Sequence, residues 1–202
     1  MKLVVMTKST FFVEEDKILE ALFEEGMDDL HLFKPNSTPI FSERLLKLIP
    51  EEYHKKITVH EHYYLKSEYN LRGIHLDNPS ENLPDGYKGK YSRTCTNIDD
   101  VKDMRKKSEY VFLKNIFDCI EFPTEKSSFT TEQLIQASRD GIINKSVYAL
   151  GGICLDNIKF ARDLGFGGVV VCGDLWSKFN IQQGNDFKEI IEHFKRLRKA
   201  VS

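Results

Sequence analysis

Short apolar runs alternate with longer stretches whose apolar residues recur every three or four positions. Residues 2–7 form an apolar, β-branched run that predicts a strand. Over residues 12–25, Val13, Ile18, Leu19, Leu22 and Phe23 fall on one helical stripe, and Gly26 is placed to end it. Residues 30–33 read as a second strand, followed by a helix that Ser42 can cap and that carries Leu45, Leu46 and Ile49. Residues 57–59 predict a third strand with a short helical stretch over 63–69, residues 73–76 a fourth, and residues 90–94 a weaker fifth. Asn97 can cap a helix over 98–107 that carries Ile98, Val101 and Met104.

The second half repeats the theme. Residues 110–113 predict a strand, and Thr130 or Thr131 caps a helix carrying Leu134, Ile135 and Ala137. Residues 146–150 run into Gly151-Gly152, and Asp156 can cap the next helix, with Ile158, Ala161 and Leu164 on its stripe. Residues 168–172 are an unbroken apolar strand of the kind buried on both faces. The clearest helix spans 187–201, where Phe187, Ile190, Ile191, Phe194, Leu197 and Val201 share one face.

Eight strands, each followed by a helix or helix-like segment, give units of about 25 residues in a chain of 202. Such alternation implies parallel strands with right-handed crossovers. The expected fold is therefore α/β, a (β/α)8 TIM barrel in a single domain over 1–202. A doubly wound open sheet is the rival, but such sheets usually stop at five or six strands.

Composition narrows the function. Twenty-nine basic against 31 acidic residues leave a net charge of −2, which argues against a nucleic-acid partner or an anionic membrane surface. The longest uncharged runs are about ten residues, half of what a membrane helix needs. The apolar start is too short for a signal-peptide core, so a cytoplasmic location is expected. The four cysteines, Cys95, Cys119, Cys154 and Cys172, include no C-x-x-C pair and read as thiols. A homo-oligomer is compatible with the sequence.

In a (β/α)8 barrel the chemistry sits at the carboxyl ends of the strands. The residues there are His31 and Lys34 after the second strand, and His60, Glu61 and His62 after the third. His75, with Asp77 beyond it, belongs to the fourth, and Arg93 and Thr94 to the fifth. Lys114, Asn115 and Asp118 follow the sixth. Gly151-Gly152 and Cys172-Gly173 follow the seventh and eighth, where backbone N–H groups can meet the phosphate of a small-molecule substrate, or the glycines can simply make tight turns. His60 and His62 as zinc ligands would need donors from other strands, and a polar pocket wall or an exposed loop are the other readings. If Ile74 and Leu76 face the helices, His75 faces the lumen; His54 and His193 are expected to be exposed.

Gly73-Ile74-His75-Leu76, Tyr110-Val111-Phe112-Leu113 leading to Ile116-Phe117, and Tyr148-Ala149-Leu150-Gly151-Gly152-Ile153 with its helix resemble thiamine-phosphate synthase (thiamine-phosphate pyrophosphorylase) and its relative, thiazole tautomerase. Each motif is weak alone; in this order, across nearly the whole chain, they are fairly specific. The resemblance implies a (β/α)8 barrel and a transferase of thiamine biosynthesis, joining hydroxymethylpyrimidine pyrophosphate to thiazole phosphate with Mg2+ and releasing pyrophosphate. It assigns phosphate binding to Gly151, Gly152, Cys172 and Gly173. His31 and Lys34 stand near the family's pyrimidine and pyrophosphate contacts, whose Arg position is Phe33. His60-Glu61 takes an Asn-Asp position, making Glu61 the metal carboxylate, and the second carboxylate is missing near Pro79-Ser80. Thr94 replaces a Ser, and the tautomerase histidine is absent near Thr96. The Thr-x-Thr-Lys pyrophosphate clamp becomes Cys119-Ile120-Glu121-Phe122. Lys34, Arg93, Lys114 or Lys126 would have to replace its cation. With these departures, magnesium-dependent synthase activity is expected to be weak or absent. An isomerase using His31, His60 or His75 as acid–base, or a non-catalytic binder of a thiamine-related phosphate, is the alternative.

Overall fold

A computed structural model describes residues 1–120, 124–180 and 187–202. The expected alternation is present: β1 (Lys2–Met6), α1 (Glu15–Glu24), β2 (Leu30–Leu32), α2 (Pro39–Leu48), a 3-10 turn (Glu51–Lys56), β3 (Ile57–Val59), α3 (Leu65–Glu68), β4 (Gly73–Leu76), β5 (Tyr91–Cys95), α4 (Val101–Lys107), β6 (Val111–Lys114), α5 (Thr131–Arg139), β7 (Val147–Leu150), α6 (Leu155–Asp163), β8 (Gly168–Val171), α7 (Gly173–Trp176) and α8 (Lys188–Val201). The eight strands pair in sequence order, all parallel. The barrel closes where β1 meets β8, with Lys2, Leu3, Val4 and Val5 opposite Gly168, Val169, Val170 and Val171. The open-sheet alternative is excluded.

Strand periodicity sorts the side chains into two layers. Val5, Leu30, Leu32, Ile57, Val59, Ile74, Leu76, Val111, Leu113, Val147, Ala149, Val169 and Val171 point outward and pack under the helices. The lumen takes the alternate positions. Val4, Met6, Tyr110, Phe112, Tyr148 and Val170 fill its apolar side. His31, Thr58, His60, His75, Ser92 and Thr94 fill the other, all buried.

Several local expectations are corrected. Val13 is 73% exposed, because α1 begins two residues later. Ser42 lies inside α2, which starts at Pro39 behind Thr38, a start that proline's fixed φ favours. Asp156 is in the first turn of α6, whose N-cap is Cys154; Asn157 accepts the Cys154 N–H at 2.9 Å and donates to Gly152 O at 2.8 Å. Asn97 shapes a turn ahead of α4 by accepting the Asp99 N–H. No helix follows β4: residues 77–90 carry Pro79, Pro84 and Gly86, the last at φ 72°, and they cross to β5 as coil. His54 and His193 are buried. His54 sits against the carbonyls of Leu46, Ile49 and Tyr69, and His193 against Asp174 at 2.6 Å. No helix among the described residues is long and apolar enough to cross a membrane.

Candidate active site

A cavity of about 280 Å3, open to solvent, occupies the mouth of the barrel at the carboxyl ends of the strands. Gly151, Gly152, Cys172 and Gly173 line one side, so the two glycine loops converge there as expected. Gly151 and Gly152 have φ of 104° and 63°. A Cβ on Gly152 would come 2.2 Å from Asp118 O, so this loop is glycine because it is pressed against the loop after β6. Lys114 and Asn115 form the adjoining wall, and Phe33, Asp77 and Thr94 the facing one.

Beneath Asp77 the lumen holds a directed chain of hydrogen bonds. A carboxylate only accepts, so His60 Nδ1–H donates to Asp77 at 2.9 Å. His60 Nε2 faces His31 Nδ1 at 2.8 Å, and with the His31 proton on Nδ1 it accepts that bond. His31 Nε2 in turn accepts from the Tyr110 hydroxyl at 2.8 Å. His75 stacks on His60, ring centroids 4.4 Å apart, and bonds Ser92 Oγ at 2.7 Å and Thr94 Oγ1 at 2.9 Å. Burial holds His31 and His75 well below the usual imidazole range and raises the Tyr110 phenol. Two of the three imidazoles are therefore held neutral, and the network's one carboxylate stands at the cavity wall.

The other candidates are dispersed. Lys34 does not reach the cavity: it is buried, with Nζ 2.6 Å from Glu15 Oε1 and 2.9 Å from Thr10 O. Arg93 points away from the lumen, since Ser92 and Thr94 take the inward positions; its guanidinium bonds Pro79 O at 2.7 Å and Glu81 O at 3.3 Å. His62, at φ 52°, turns its Nε2 to Ser37 O. Lys126 pairs on the surface with Asp118 at 2.9 Å. Of the expected cations, Lys114 alone lines the cavity. Glu61 is partly buried and spends Oε2 on the Lys34 N–H at 3.0 Å, and desolvation raises its carboxyl. This donor set does not suit magnesium, which takes oxygen ligands in near-octahedral array: Glu61 serves the backbone, Asp77 serves His60, and the close-set donors are imidazoles. Asp77 stood beyond the fourth strand without an assigned role, and Tyr110 was not among the candidates. The inward parity of Phe112 marks Tyr110, whereas Asp77 lies beyond its strand, where parity stops.

No family model and no curated protein matches the sequence. Solved structures do. The crystal structure of thiamine phosphate pyrophosphorylase from Bacteroides thetaiotaomicron is 48% identical, with a TM-score of 0.89 over 99% of this chain and 97% of that one. The chain belongs to the thiamine phosphate pyrophosphorylase family. Thiamine phosphate pyrophosphorylase from Pyrococcus furiosus, at 19% identity, matches with a TM-score of 0.72 over 99% and 95% of the two chains. A 3-hexulose-6-phosphate synthase, at 14%, matches with 0.63 over the whole of both. These two show the barrel alone. The resemblance places the family's pyrophosphate clamp at residues 119–122 of this chain. Cys119 and Ile120 line the cavity, and Glu121 and Phe122 lie outside the described residues.

Proposed function

We propose that the chain is a transferase that joins hydroxymethylpyrimidine pyrophosphate to thiazole phosphate and releases pyrophosphate, with an altered pyrophosphate site. One observation carries this reading: both glycine loops and Lys114 face a single cavity in a chain 48% identical to a thiamine phosphate pyrophosphorylase. The thiazole phosphate sits against the backbone of Gly151-Gly152 and Cys172-Gly173. Phe33 gives the pyrimidine an aromatic wall. Lys114 is the cation nearest the departing pyrophosphate, and a preorganised positive charge there lowers the barrier to its release.

The test mixes pure protein with both phosphate substrates and magnesium and measures thiamine phosphate. Turnover about 10²–10³ below a family member that keeps the clamp is expected, the cost of one lost charge contact. Equal turnover would refute the altered clamp, and no turnover would refute the transferase. A second reading, a thiazole-phosphate isomerase, has one observation in its favour: Asp77 presents a carboxylate to the cavity with an imidazole behind it, a pair suited to moving a proton. Solvent deuterium entering a thiazole carboxylate phosphate, and lost in Asp77→Asn, would mark that activity.

A further inference from the structure

The proposed transfer leaves the lumen histidines without a role. His31, His60 and His75 come from three adjacent strands, and one ligand-capable nitrogen of each lies within 4.8 Å of the other two. Three buried imidazoles in so small a volume are an uncommon use of a barrel interior, which branched apolar residues ordinarily fill. The surrounding contacts add to this. His60 Nδ1 is held by Asp77 and His31 Nε2 by Tyr110, which leaves His60 Nε2 and His31 Nδ1 facing each other at 2.8 Å. A carboxylate or hydroxyl behind each ring is the arrangement that orients histidine ligands around a metal. His75 bonds only hydroxyls, Ser92 and Thr94, which can rotate away from a ring nitrogen.

We propose that His31, His60 and His75 form a binding site for a divalent cation of the zinc type, set in the lumen beneath the active-site cavity. Imidazole suits zinc, cobalt or nickel, whereas magnesium and calcium take oxygen. Two nitrogens on one tetrahedral zinc stand about 3.3 Å apart, so the His31 and His60 rings part by about half an ångström, and the His75 ring, stacked on His60, turns its edge toward the ion. The protons balance without release. His31 moves its proton from Nδ1 to Nε2 and donates it to Tyr110 Oη, and the Tyr110 hydroxyl turns to Ser92 or Thr58 beside it. His60 keeps its Nδ1–H on Asp77, whose charge offsets part of the cation's. Asp77 and Thr94, the partners of His60 and His75, line the cavity directly above the buried rings.

The experiment uses tag-free protein stripped by a chelator and titrated with Co2+. One equivalent bound, with visible bands of nitrogen–oxygen ligation and displacement by one equivalent of Zn2+ but not by excess Mg2+, is the expected result. His60→Ala should abolish binding. Asp77→Asn, at the rim, should weaken it about 10–100-fold, the usual effect of losing such a partner. Wild-type protein that is folded by circular dichroism and binds no cobalt would overturn the site. So would a thiolate charge-transfer band, which would place the metal on the cysteines, or unchanged affinity in Asp77→Asn. Metal content is read without turnover, so the site stands or falls independently of the transferase reading.

Discussion

Lys34 shows how a single side chain can leave the place its sequence position suggests. It follows β2, yet it is fully buried against Glu15, with the Phe11 ring 4.5 Å from its ammonium. Burial lowers the lysine and raises the Glu15 carboxyl to about 7, against the pull of the pair itself. Removing one partner strands the other, so Lys34→Ala or Glu15→Ala should each cost about 3–5 kcal/mol in urea unfolding. The double replacement Glu15→Leu with Lys34→Met should recover most of that loss. Because the folded state holds the Glu15 proton more tightly than the unfolded chain, this carboxyl contributes most stability below pH 4.5 and loses it as pH rises through about 7. Melting across that window should show the loss in wild type and not in Glu15→Gln. At the cavity, Lys114→Ala should lower kcat about 10²–10³-fold with a smaller change in KM, as expected for a contact made in the transition state. An unchanged kcat would remove Lys114 from the leaving-group side.

Elements were legible where their physics is local. Seven strands follow from apolar runs and the weaker fifth from its place in the series; α5 follows from a threonine cap, Thr130, which accepts the Gln133 N–H at 3.2 Å while Gln133 accepts the Thr130 N–H at 2.8 Å. Thr130→Ala should cost about 1 kcal/mol by denaturation. Element starts were misread where the signal was Thr38-Pro39 or a cysteine cap. The lumen histidine His75 was legible because strand parity carries inward facing from Ile74 and Leu76. Glu61, Arg93 and Lys34 were not, since their directions depend on where the strand ends and on what α1 and residues 77–90 offer them. The β7–α6 loop adds a further case. Gly152 reads as an anion cradle, yet its Cβ direction leads into Asp118 O rather than into the cavity. Gly152→Ala should therefore lose about 1–3 kcal/mol of stability through backbone strain, besides any change in ligand affinity. A variant with wild-type stability would show that the two loops do not press together.

At the scale of the whole molecule, the barrel divides its interior into sectors. β1, β6, β7 and β8 supply an apolar side built on Phe112, Tyr148 and Val170, and β2 to β5 supply the histidines and hydroxyls. The two sides meet at Tyr110, which stacks on Tyr148 with centroids 4.6 Å apart and gives its hydroxyl to His31. A net charge of −2 leaves no general attraction for polyanions.

The polar sector also shapes how this barrel can change over time. His31→Leu alone strands His60 Nε2, and His60→Leu alone strands His31 Nδ1; a buried group left unpaired costs about 1–3 kcal/mol. Replacing both together removes two of those orphans at once. A double-mutant cycle on His31 and His60 should therefore return a coupling of about 0.5–3 kcal/mol, and an additive result would show the chain to be a set of independent contacts. Strong coupling makes each intermediate less fit than either end. Lineages that carry the histidine sector would then keep or abandon it as a block, and relatives with one member missing should be rare.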